Sequence, residues 1–145
     1  MKLLATLVLS VVLVGCSALS ASGQAQMCEA AGSLSAARAL VEQAAAKDAG
    51  GDKSGARSLA GEAAALAKQA HDVLQSVPSS DVKRDATWQA LLDAYLHIGQ
   101  GANALLPGYE GNYGSTGEEL ATGTKSLQSA AANLPASCLT ATASP

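Results

Sequence analysis

Phenylalanine is absent from the chain, and its 145 residues include a single tryptophan and three tyrosines. Apolar residues still make up 48% of the sequence, but much of that share is alanine. A core of such small side chains is thin, so its backbones must pack close together to fill the interior. Charge is sparse as well and leans acidic, with nine Lys and Arg against twelve Asp and Glu. No basic run is present to neutralise phosphates, which argues against nucleic acid or anionic lipid as a partner. Strand-like alternation is missing after the first fifteen residues, so helix is the template that remains.

Chemical machinery is equally scarce. Catalysis needs a nucleophile beside a base, or an acid and a base held together. The only two histidines, His71 and His97, fall beside the apolar seams of their helices. They are expected to face outward near opposite ends of a bundle, unable to share a metal or a reaction centre. His71 and Asp72 with Asp81 or Asp85 across the Pro78 turn could hold a divalent ion, but solvated polar groups at helix ends account for the same residues. Met27 invites comparison with haem-binding bundles. Neither a histidine in the fourth helix nor a Cys-x-x-Cys-His motif exists to complete such a site. Phosphate-binding glycine loops, a Gly-x-Ser-x-Gly elbow and zinc-hydrolase motifs are missing too. The sequence therefore predicts a protein that is not an enzyme, with no cofactor and no metal.

What is present is helical periodicity. Ala56, Leu59, Ala63, Leu66, Ala70, Val73 and Val77 alternate spacings of three and four, an unbroken heptad seam. Trp88, Leu91, Tyr95, Ile98, Ala102 and Leu105, widened by Leu92, form a second seam within a segment from about Asp81 to Leu106. Ser79-Ser80-Asp81 supplies its N-cap and Pro107 its stop. Ser115 and Thr116 each precede a glutamate, Glu118 or Glu119, by three residues, as in a capping box. Leu120, Thr124, Leu127, Ala131 and Leu134 follow as the seam of that segment. The first segment, about Glu29 to Ala49, carries Leu34, Ala37, Val41 and Ala44 and ends at Gly50-Gly51, a plausible C-cap. Short connections at 50–53, 78–80 and 107–114 make successive helices antiparallel neighbours. The expected fold is all-α, an up-down-up-down four-helix bundle over residues 28–138, with a tail at 139–145. A helical-repeat hairpin is the alternative, although the segments are too long for it and no second copy is visible.

Ahead of the bundle, Met1-Lys2 and the twelve residues Leu3 to Val14 have the basic start and apolar core of a secretory signal. That core is too short to cross a bilayer of about 30 Å. An uncleaved anchor extending to Ala21 is one alternative. Ordinary cleavage after Ala18-Leu19-Ser20 or Gly23-Gln24-Ala25 is another, and a buried core segment a third. Leu13-Val14-Gly15-Cys16 resembles the lipobox of bacterial membrane lipoproteins. The resemblance is confined to the first sixteen residues and assigns no family to the rest. It implies that residues 1–15 are a signal peptide and that Cys16 becomes the lipidated, palmitate-bearing N-terminus, anchored in the bilayer. In such proteins an Asp after the cysteine favours inner-membrane retention, so Ser17 implies the outer membrane, facing the periplasm. Residues 16–27 are then the lipidated cysteine and a flexible tether.

Once Cys16 is assigned to lipid, Cys28 and Cys138 remain as a pair in an oxidising compartment. They lie just before the first helical pattern and just after the last. A bundle of even helix number brings those two points to the same end, so a disulfide between them is expected. Two unrelated buried thiols are the competing account.

One segment exceeds its duty as a connector. Pro107 to Gly114 holds Tyr109 and Tyr113, two of the four aromatic residues of the chain. Tyrosine gives contact area at low entropic cost, and glycine allows the turns that present it. Tyr109, Glu110, Asn112 and Tyr113 are therefore the candidate partner-binding loop, at the end far from the lipid. The competing account is that the tyrosines fold back to cover the open end of the core. The function expected is that of a membrane-anchored envelope lipoprotein, an interaction or accessory protein meeting another envelope protein or polymer. The alternative is a periplasmic helical bundle that binds a small ligand or metal.

Overall fold

In the first helix, order begins well before the apolar pattern does. The computed structural model describes residues 20–78, 86–109 and 114–140. Helix α1 spans Ala21–Ala49, and the Ser20 hydroxyl caps it by accepting the Gly23 N–H at 3.0 Å. Residues 21–27, expected as tether, are instead the first two turns of α1, which corrects the expected start at Glu29. The reason is tertiary. Gly23 and Met27 are buried against the bundle, and Gln26 Nε2 donates to the Ser76 carbonyl at 3.2 Å and to Ser76 Oγ at 2.9 Å. Packing of this kind supplies helical stability that a weak local pattern cannot. Cys28 consequently lies inside α1, not ahead of it.

Helices α2 (Lys53–Gln75), α3 (Ala86–Asn103) and α4 (Thr116–Ala131) follow, with a short α5 (Ser137–Thr140). The fold is an all-α up-down-up-down bundle. The largest interfaces are α1 with α2 and α3 with α4; α2 packs on α3, and α1 touches α3, α4 and α5. The tail expected from residue 139 starts later, since 139 and 140 belong to α5; its remainder, 141–145, and the expected N-cap at Ser79 to Asp81 lie outside the described residues.

Turn chemistry fixes the antiparallel pairs. Gly51 adopts φ +86°, a backbone conformation that costs a side-chain-bearing residue. Asp52 then caps α2 by accepting the Gly55 N–H at 2.9 Å. Two crossed ion pairs brace the turn, Lys47 to Asp52 at 2.7 Å and Lys53 to Asp48 at 2.8 Å. The hydrogen bond from Lys47 holds the Asp52 carboxyl below its usual range, aided by the Gly55 amide. At the start of α4, Ser115 and Glu118 form the reciprocal capping box. The backbone and hydroxyl of Ser115 hold the Glu118 carboxyl low as well. Glu119, the other capping candidate, does something else.

The buried faces are rotated from the expected seams. On α2 the residues withdrawn from water are Ala56, Ala60, Ala63, Ala67, Ala70 and Leu74, while Leu59, Leu66 and Val73 flank them half-buried. Alanine occupies the line of closest approach and the larger side chains reach sideways to fill the margins, which lets backbones come together in a core without phenylalanine. On α4 the buried set is Glu119, Gly123, Leu127 and Ala130, continued past its end by Leu134, so Leu120, Thr124 and Ala131 are marginal. Gly123 explains the shift. A Cβ there would lie 2.8 Å from Ile98 Cγ1 and 3.1 Å from the Ile98 nitrogen, so α3 and α4 touch backbone to backbone.

Cys28 and Cys138 form a disulfide with their Cα atoms 4.7 Å apart, joining α1 to α5 across 110 positions of sequence. On the chain-entropy account, a crosslink closing so long a loop contributes about 4 to 5 kcal/mol.

Candidate functional site

An open concavity lies between the C-terminal halves of α2 and α3. The Trp88 indole donates to the Leu74 carbonyl at 3.0 Å, and the Ser76 hydroxyl donates to the Val73 carbonyl at 2.6 Å. Together with Gln26, these side chains satisfy carbonyls that a helix end leaves open, and they fix α2 against α3. Above this anchored end the two helices are separated by small residues only. Ala64, Ala67 and Gly99 form the floor of an open groove of about 590 Å³.

One wall carries Lys68, His71 and Asp72; the other carries Tyr95, Leu96, Gln100 and Asn103, and Tyr109 closes the far end. The His71 ring stacks on Tyr95 with centroids 4.6 Å apart, which covers one face of the imidazole, and Gln75 Nε2 stands 3.3 Å from His71 Nε2. Lys68 and Asp72 pair at 2.6 Å. Their hydrogen bond holds the Asp72 carboxyl below its usual range and the Lys68 ammonium above its own. Leu96 is 48% exposed, the one large apolar side chain so placed among the described residues.

His97 faces the other neighbour. Its Nδ1 lies 2.6 Å from Glu119 Oε2, while Glu119 Oε1 accepts the Gly114 N–H at 2.9 Å. Its Nε2 stands 3.6 Å from Asp93 Oδ1, and Asp93 in turn accepts the Ser126 hydroxyl. The two histidines were expected to face outward. Instead both are engaged between helices: His71 stacks on Tyr95 of α3, and the glycine contacts of α3 with α4 bring Glu119 against His97. The Ser126 hydroxyl is bonded to a carboxylate and not to the imidazole, an order that braces α3 on α4 but does not generate a nucleophile.

Of the expected binding loop, Tyr109 is half-buried and lines the groove. Glu110, Asn112 and Tyr113 lie outside the described residues, as do Cys16, the signal region 1–15, Asp81 and Asp85. Asp72 is committed to Lys68, and no group of three or more His, Cys, Asp or Glu is placed to hold a metal ion among the described residues. No described helix is long and apolar enough to cross a membrane.

Sequence reasoning missed Lys68, Leu96, Gln100 and Asn103. The one local signal was Leu96, a large apolar residue off the seam. Comparison with protein-family models, curated proteins and solved structures found no match to this chain.

Proposed function

We propose that this chain is a lipid-anchored bacterial envelope lipoprotein, a non-enzymatic accessory that meets another envelope protein or polymer. The observation that carries the reading is the Cys28–Cys138 disulfide. Disulfides persist in oxidising compartments such as the periplasm, and this one leaves Cys16 as the odd cysteine behind a lipobox-like sequence. Acyl chains on Cys16 would add about 0.8 kcal/mol per buried methylene, so more than one chain holds the protein stably. The residue after it, Ser17, favours the outer membrane over the inner. Because α1 starts at Ala21, the five peptide steps from Cys16 reach at most about 18 Å when fully extended. The disulfide end of the bundle then lies nearest the bilayer and Tyr109 faces away from it.

Fractionation of cells expressing Cys16→Ser tests the anchor. Unprocessed precursor and loss of normal membrane association are the expected result; membrane partition equal to wild type overturns the reading.

A second reading, a small-ligand-binding bundle, is favoured by the groove, whose volume of about 590 Å³ lies in the range of ligand sites. Native mass spectra before and after exposure to envelope extract distinguish them, since a stoichiometric small-molecule adduct belongs only to the second.

A further inference from the structure

The chemistry of the α2–α3 groove selects a class of ligand. Its charges are already matched, because Lys68 and Asp72 neutralise each other at 2.6 Å and the His71 imidazole stands 3.7 Å from the same carboxylate. A charged polymer would have to break that arrangement. Beyond the charged groups and the tyrosines, the groove is lined by the side-chain amides of Gln100 and Asn103, and each presents donors and an acceptor together. Beside them stand the Tyr95 ring, one face of which His71 already covers, and the exposed Leu96. A hydrocarbon chain laid there would strand the amides without partners, a costly outcome. A sugar ring does the reverse. Hydroxyls around its edge both donate and accept, while the C–H groups of its face pack on aromatic and aliphatic surface. The α2 side of the groove runs from Ala64 to Asp72, eight residue steps of helix or about 12 Å, enough for a short run of pyranose rings.

We propose that this groove binds an uncharged glycan chain. The proposal rests on the envelope reading for where such a chain is met, but not for the chemistry of the site.

The test uses the full chain in detergent micelles, titrated separately with chitotetraose, maltotetraose and a tetra-aspartate peptide, and followed by the NMR side-chain amide signals of Gln100 and Asn103. Saturable shifts with at least one tetrasaccharide are expected. Gly99→Leu, which fills the floor, and Asn103→Ala, which removes one amide, should each weaken that affinity roughly tenfold or more, with helical content checked by circular dichroism. The second substitution keeps the test valid if the first unfolds the bundle. Absence of saturation with both sugars, equal affinity in wild type and Asn103→Ala, or preferential binding of the peptide overturns the proposal. Its failure is separable from failure of the envelope reading, since Cys16→Ser fractionation reads the anchor alone.

Discussion

His97 Nδ1 stands 2.6 Å from Glu119 Oε2, and the Glu119 side chain is only 10% exposed. The same carboxylate accepts the Gly114 N–H, so one acid side chain ties α3, the start of α4 and the end of the connecting loop. Glu119→Ala should lower stability by about 1 to 3 kcal/mol, because it strips partners from groups with little access to water. A denaturant-melt cycle with His97→Ala should reveal a coupling of about 0.5 kcal/mol or more; additivity would mean that the pair contributes nothing of its own.

Two glycines on packed helices should respond in opposite directions. At Gly123 a Cβ would come within 2.8 Å of Ile98 Cγ1 and 3.3 Å of His97 Cβ, so Gly123→Ala must push α3 and α4 apart, at about 1 to 3 kcal/mol of overpacking. At Gly99 the nearest atom to a new Cβ is Ala67 Cβ at 3.9 Å, an ordinary contact. Gly99→Ala should therefore stabilise by up to about 1 kcal/mol through helix propensity. Thermal melts of the two variants decide both signs.

Reduction should be expensive. Opening the Cys28–Cys138 bond frees a loop whose closure contributes about 2 to 5 kcal/mol in small domains, and a Cys28→Ser, Cys138→Ser double variant should lose a similar amount. Melting with and without reductant measures it, and the double variant should no longer respond to reductant.

Acid should weaken the bundle before it unfolds it. The carboxyls of Asp52, Asp72 and Glu118 are held below their ordinary values of 3.8, 3.8 and 4.5. A depressed folded-state value means that the contribution is complete above those ordinary values and is lost as pH falls through the folded ones. Stability should be flat on this account from neutral pH to about 5 and decline below it. A combined Asp52→Asn, Asp72→Asn, Glu118→Gln variant should show a shallower decline in denaturant midpoint. Each increment is small, since all three groups are at the surface.

Periodicity carried the fold because seam spacing and turn residues are local. Asp52, Ser115 and the Gly50-Gly51 turn act within a few residues of themselves, and the cysteine pairing follows once the helices alternate. What periodicity missed is decided between helices. Near Ala21 only Ser20, a capping residue, hints at a helix; Met27 packing and the Gln26 bond to Ser76 make it one. Similarly, Glu119 reads as a second capping glutamate until Gly123 brings α3 close enough for His97 to meet it. The groove was hidden for the same reason. A cavity is a missing side chain seen from two helices, and Gly99 and Ala64 are silent on any single one.

The disulfide also changes what a cut in the chain can do. Any protease that severs the backbone once between Cys28 and Cys138, at either connection flanking α3 or at the Gly51 turn, leaves both pieces in one covalent molecule. The severed bundle keeps its partners at hand and can reseat them without a second-order search. Separating the two pieces therefore takes a reductant as well as the cut.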